Sequence, residues 1–402
     1  MRETQKRLYD HPSDMEPLRP DSGFAVWEGR CLELVRSAER LSGFFHPVVR
    51  ESVIELVRSM NSYYSNLIEG HRTKPKDIDA ALRKDFSADF AQRSLQMLHI
   101  AHVEVQREME ARLAKIPANE ICSQDFLCWL HQEFYQRLPD SLRLLEDETK
   151  KRFHVEPGQL RDSEVSVGRH MAPVSRKLDV FLRRFSEFYG PCVTRKPDTL
   201  VSAAAAHHRL TWIHPFLDGN GRVARLFTHA WFIKAGVDSN GLWTLSRGLA
   251  RRKAEYQSAL ANADEKRLND LDGRGYLSAR YLDEFCSFFL TTASDQVAFM
   301  QELLGLEGLL KRVIGFGQRK ESAGELPSGS HLVLRELVLR GEIGRGEVSR
   351  IVGASPRSGQ KVTGELLAQE LITSPSPKGA LRLAFPAEAA GDYFPILYPA
   401  GG

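Results

Sequence analysis

Residues 214–225 read HPFLDGNGRVAR, a run that holds one imidazole, one carboxylate, a Gly-Asn-Gly turn and two guanidinium groups. Together they equip a single loop to hold a polyphosphate–metal complex beside a general base. His214 titrates near neutrality and is suited to take a proton from an attacking hydroxyl. Asp218 offers the hard oxygen that Mg²⁺ takes when it keeps several waters and bridges phosphates. Gly219 and Gly221, on either side of Asn220, let the backbone come close to phosphate oxygens. Arg222 and Arg225 are three apart, so on a helix they share a face and can fork onto anionic oxygens. The apolar stretch 223–232 follows at once and predicts that the loop opens a helix, with Gly236 as its stop. The first N–H groups of such a helix carry the positive end of its dipole and bind anions. Each residue alone is more often structural, but a capped helix alone does not require this ordered set.

Other elements must bring partners to this loop. Val53, Val57, Met60, Tyr64 and Leu67 recur at three-to-four spacing and predict an amphipathic helix, with Gly70 suited to its C-terminal cap. Ser65 and Glu69 are four apart and therefore lie on one face of it. Residues 159–173 show β-leaning alternation at Val165 and Val167, around Ser166 and before Gly168, and predict a short hairpin. Residues 174–189, with Leu178, Phe181, Leu182 and Phe185, read as a core helix. Further helices are expected around Trp27, Cys31 and Leu34, around Leu95, Leu98 and Val105, and around Phe126, Leu130 and Phe134. His207 and His208 read as packing or surface histidines, because no carboxylate or cysteine stands at metal spacing.

The run 214–225 resembles the signature of the Fic (Fic/Doc, or Fido) family, HPFx(D/E)GNGRxxR, and fills every specified position, with Leu217 at the variable one. That family transfers AMP from ATP to a hydroxyl side chain of a target protein. The resemblance implies that His214 deprotonates a target Ser, Thr or Tyr and that Asp218 holds Mg²⁺ on the α- and β-phosphates. Gly219, Asn220, Gly221 and Arg222 would form the anion cradle, and Arg225 would fix the γ-phosphate. Residues 65–70, SNLIEG, resemble the inhibitory pattern (S/T)xxxE(G/N) of some Fic proteins. This implies that Ser65, Glu69 and Gly70 belong to a self-inhibitory helix whose Glu69 pairs with Arg225, so that no separate antitoxin chain is required. Val165, Ser166, Val167 and Gly168 resemble the hairpin flap that holds the target segment by strand addition. Tyr256 matches a tyrosine near the nucleotide base, whereas residues 262–280 are long and charged and depart from the family's compact loop.

The implied architecture is mostly α: a Fic-type helical core with a short hairpin flap, an N-terminal helical region and a C-terminal winged helix-turn-helix. The expected division is a polar tail over 1–24, a helical region carrying the inhibitory helix over 25–116, and the catalytic core over 117–300. A helix and linker over 301–330 then lead to a winged helix over 331–390, with 315–330 read as linker from its Gly, Ser and charge content. From residue 331 to 385 there are eight Lys or Arg against five Asp or Glu, a surplus of three. Arg357, Ser358, Gln360 and Lys361 are placed to reach DNA from a recognition helix, with protein docking or dimerisation as the alternative. A net charge of +3 over 402 residues does not mark nucleic acid or membrane as the main partner. Five scattered cysteines without a CxxC pair fit a reducing cytoplasm, and no run of about 18 apolar residues suggests a membrane span. The expected partners are ATP, Mg²⁺ and a target protein, with self-AMPylation and a homodimer as further expectations. The rival readings are removal of AMP, transfer of another phosphate-linked group, and a nucleotide-sensing DNA-binding regulator.

Overall fold

The computed structural model describes residues 9–44, 47–146 and 150–398, and it is mostly α. Helices α1 (Glu28–Ser42), α2 (Pro47–Ile68), α3 (Pro75–Leu82), α4 (Phe90–Leu113) and α5 (Gln124–Tyr135) come first. Two antiparallel hairpins follow, β1 (Leu144–Glu146) with β2 (Arg152–His154) and β3 (Ser166–Val167) with β4 (His170–Met171). The helical body is completed by α6 (Leu178–Tyr189), α7 (Thr199–Ile213), α8 (Asn220–Ala235), α9 (Leu245–Arg251), α10 (Lys253–Ala263) and α11 (Ala279–Leu304).

The centre is the pair α7 and α8. Both bury nearly every face, as a helix enclosed by other helices does. Ala203 to Ala206 are essentially unexposed, and their small side chains let α8 and α11 approach α7 closely. Helix α4 packs against α5 and α8, and α2 lies between α4 and α9. Gly236, at φ +75°, ends α8 in the left-handed conformation expected of it. One continuous apolar core runs from Tyr9 to Leu397. Among the described residues no helix is long and apolar enough to cross a membrane, and all five cysteines are free.

The stretch expected as a polar tail differs. Residues 9–24 lie on the body, with Met15 fully buried and Leu18 3% exposed. Their backbone carbonyls do much of the anchoring. Pro17 O accepts from Arg209 Nε (3.1 Å) and Nη2 (2.8 Å), Glu16 O accepts from the Leu277 N–H (2.8 Å), and Tyr9 O accepts from the Val174 N–H (2.9 Å). A polar composition hides this, because the bonding groups are main chain.

The expected linker is also shorter than its composition suggested. Helix α12 (Leu306–Ser322) continues through Gly315 and Gly317, and at Gly317 a Cβ would press on His331. After it come α13 (Ser330–Arg340), β5 (Glu342–Ile343), α14 (Val348–Val352), α15 (Pro356–Ala368), β6 (Ile372–Thr373) and β7 (Leu381–Leu383). The sheet order is β5-β7-β6. Ser355 caps α15 by accepting from the Ser358 N–H, with Pro356 in the first turn. Two-residue β5 had no alternation to reveal it, and α16 (Ala387–Tyr393) was not foreseen.

The C-terminal part sits against α2. Ser52 Oγ donates to Leu383 O (2.9 Å), Tyr64 Oη donates to Leu397 O (2.8 Å), and the ring of Tyr398 packs edge-on to Tyr63. The burial of the N-terminal segment carries a test. Met15→Ala is expected to lower unfolding free energy by about 2–5 kcal/mol, seen as a lower denaturant midpoint, whereas a loose tail would leave the midpoint unchanged.

Candidate active site

The loop between α7 and α8 begins with a strained residue. His214 ends α7 at φ +50°, ψ +61°, the left-handed region, and Pro215 cannot continue the helix. Its Nδ1 lies 3.3 Å from Thr211 O, so Nδ1 carries the proton and Nε2 is the acceptor. Burial pushes its pKa down to about 4, against a small opposing effect of the Thr211 carbonyl. The loop closes on Asn220, whose Oδ1 accepts from the Phe216 N–H (2.9 Å) while its Nδ2 donates to Phe216 O (2.8 Å). Asn220 was expected at the anion, but its side chain is spent on holding the loop.

Two residues of α5 that the sequence did not single out shape the same loop. His131 stacks on Phe216 at 4.1 Å and accepts from the Gly158 N–H at Nδ1. The ring of Tyr135 packs so closely on Gly219 (φ +80°) that a Cβ there would stand 2.7 Å from Cε2. The Tyr135 hydroxyl donates to Asp218 Oδ2 and accepts from Arg222 Nη2 (2.9 Å). Both residues lie four apart on an otherwise apolar helix face, the one trace they leave in the sequence.

Arg222 and Arg225 turn to different partners. Arg222 is 4% exposed and donates to Asp218 Oδ2 (2.7 Å) with its plane over Phe134 (4.8 Å). Burial disfavours the Asp218 carboxylate, but Arg222 and the Tyr135 hydroxyl outweigh it and hold its pKa below the usual value. The Asp218 side chain stays 41% exposed. A single ionised and accessible carboxylate fits a magnesium ion that arrives on phosphates. No cluster of three or more His, Cys, Asp or Glu suited to a metal occurs among the described residues, so an all-protein cage does not fit.

Arg225 turns instead to α2. Its Nε donates to Ser65 Oγ (2.9 Å), and its Nη2 donates to Ser65 O (3.0 Å) and to Glu69 Oε1 (2.5 Å). Burial works against ionising Glu69, yet Arg225 and Arg222 keep its pKa lowered. A Cβ on Gly221 would collide with Glu69 Oε1, so that carboxylate occupies the space directly over the first turn of α8. Gly70, at φ +92°, donates its N–H to Leu67 O while the His71 N–H reaches Asn66 O, and this left-handed cap places Glu69 at the very end of α2.

These groups border a cavity of about 890 Å³ whose lining includes Glu69, His214, Gly221, Arg225 and Tyr256. The hairpin tip, Val167 to His170, forms another side, with Gly168 at φ +58° as a two-residue turn requires. Val165 O pairs with the Ala172 N–H just below, while Ser166 and Val167 remain exposed. Tyr256 faces the cavity but is 3% exposed, and its hydroxyl lies 2.7 Å from His207 Nε2. His207 and His208 are both buried packing residues. Asn262 at the end of α10 and Asp264, Glu265, Lys266 and Leu268 of the segment after it close the far side, and Tyr9 of the N-terminal segment joins them.

Residues 121–232 match the Fic/DOC family. The protein adenylyltransferase Fic of Drosophila willistoni is 32% identical over 123 residues, which cover 29% of this chain and 25% of that protein. The namesake from Drosophila grimshawi is also 32% identical over 123 residues, 29% of this chain and 26% of its own. The chain thus spans about a quarter of the length of these curated relatives. A crystal structure of a Fic family protein from Desulfovibrio desulfuricans G20 aligns over 88% of this chain and 96% of its own, at 16% identity and a TM-score of 0.49. The matched residues, 121–232, contain the loop and nearly all of α8, so the similarity to the Fic/DOC family falls on the stretch that builds this site.

Proposed function

We propose that the protein is a self-inhibited adenylyltransferase that moves AMP from ATP to a Ser, Thr or Tyr hydroxyl of a target protein. The observation that carries this reading is the convergence of His214, the first turn of α8 and Arg225 on one cavity, with Glu69 lying over that turn. The target hydroxyl gives its proton to His214 Nε2, and its oxygen attacks the α-phosphorus. The bond from that phosphorus to the bridging oxygen breaks, and pyrophosphate leaves. Asp218 would hold Mg²⁺, which neutralises phosphate charge when bound. The N–H groups of Gly219, Asn220 and Gly221 and the guanidinium of Arg225 would take the phosphates, with Arg222 orienting Asp218. Tyr256 would stand beside the base, and Val165 to Gly168 would hold the target segment by strand addition.

A second reading keeps the same residues. Glu69 and His214 border one cavity, an arrangement equally suited to orienting a water for removal of AMP. The winged helix leaves Arg357, Ser358, Gln360 and Lys361 exposed, which supports DNA contact, with dimerisation or protein docking as the other use. The five free thiols support a reducing compartment such as the cytoplasm.

With α-labelled ATP and Mg²⁺, Glu69→Gly is expected to raise labelling of itself or of extract proteins. The rise should be roughly ten- to hundredfold, the equivalent of one charge-assisted bond of about 1.5–3 kcal/mol. Adding His214→Ala is expected to reduce it by about 10²–10⁴-fold. Silence of the Glu69→Gly form toward both would rule the reading out. The lowered pKa of His214 sets a second expectation. Its base form persists down to about pH 4, so kcat/KM of Glu69→Gly should be flat from pH 8 to about pH 5.5 and fall only below that. NMR of the imidazole should show the same low titration, and a kinetic limb near 6.5 assigned to His214 would contradict it.

A further inference from the structure

Arg161 is 3% exposed, and its guanidinium makes no hydrogen bond to a carboxylate. It donates to three backbone carbonyls instead: from Nε to His214 O (2.8 Å), from Nη1 to Ser163 O (2.9 Å) and from Nη2 to Pro173 O (2.6 Å). Its own N–H donates to Pro215 O (2.9 Å). Glu164, 44% exposed, stands 3.7 Å from Nη1 and also accepts from the Ser175 N–H. Burial lowers the Arg161 pKa to about 10, so the group remains a cation at neutral pH.

The three carbonyls have positions in common use. Ser163 and Pro173 are the two feet of the β3–β4 hairpin, and His214 is the residue in the left-handed conformation. A non-glycine residue keeps that conformation only where its surroundings over-determine it. Gripping the carbonyls of His214 and Pro215 in succession fixes the peptide planes that aim the imidazole. The same guanidinium ties both hairpin feet together.

We propose that Arg161 is a positioning residue that joins the hairpin feet and the backbone of His214 into one rigid unit. A segment laid along β3 is thereby delivered at a fixed distance from Nε2. The catalytic consequence rests on the AMP-transfer reading; the mechanical coupling does not.

The test uses the full chain carrying Glu69→Gly, with Arg161→Met and, separately, Arg161→Lys. Labelling rate with α-labelled ATP and ATP affinity by calorimetry are measured beside hydrogen exchange of peptides covering 163–173 and 211–217. For Arg161→Met the rate is expected to fall by about 10²-fold, as misplacement of a reacting group does, with affinity within roughly twofold. Exchange should rise in both peptides together and stay unchanged in the middle of α7 and α8, and Arg161→Lys should recover part of the rate and protection. Where the Met form does not fold, the Lys form is compared with its parent by the same readouts. An unchanged rate, or a loosened hairpin beside a fully protected 211–217, would overturn the proposal. Failure of the Glu69→Gly parent to label anything would remove the AMP-transfer reading, and the exchange data would still decide the coupling.

Discussion

A guanidinium as enclosed as that of Arg225, 5% exposed, is stable only when its charge is matched and its N–H groups are bonded. α8 brings the arginine to the cavity, but nothing on α8 answers it. The answer comes from the last turn of α2, through Ser65 Oγ, Ser65 O and Glu69. That requirement fixes how deep α2 sits and which face it turns to the loop. α4 and α9 pack against the helix that carries this answer.

The inner face of α2 is accordingly polar. Ser59, Asn61, Ser62, Ser65 and Asn66 are all buried. Asn61 donates to Gln106 Oε1 (2.8 Å) and accepts from the Thr244 hydroxyl, while Ser62 donates to His99 O (2.9 Å). Such bonds are directional, so they set the rotation of the helix about its axis more strictly than apolar contact would. The opposite flank, with Val53, Val57, Met60 and Tyr64, supplies the area that keeps it in the core.

Much of this was legible in the sequence, for a physical reason. Residues 214–225 and 65–70 are short runs whose local shape depends on neighbours within one turn, so spacing alone states which side chains share a face. The Glu69 and Arg225 partnership came from resemblance, since no periodicity links residues 156 apart. Arg161, Tyr135 and His131 escaped because their partners are backbone carbonyls, an N–H or a carboxylate across the fold. The N-terminal segment escaped likewise, being fastened by its own carbonyls. Arg222 was assigned to the phosphates from its spacing to Arg225, although its spacing of four from Asp218 marks an ion pair just as well. The structure shows the second pairing.

The left-handed cap at Gly70 sets how the restraint on Arg225 can be lifted. α2 is held along its length by α4 and α9 and by Tyr398 at its outer face, so removing it would dismantle the core. Glu69 is the residue just before the cap, where a helix frays with the loss of few bonds. Unwinding that single terminal turn swings the carboxylate off Arg225 and leaves the buried shaft in place. Glu69 is therefore a detachable tip on a permanent strut, and freeing Arg225 needs a local melt of about one turn rather than a domain movement.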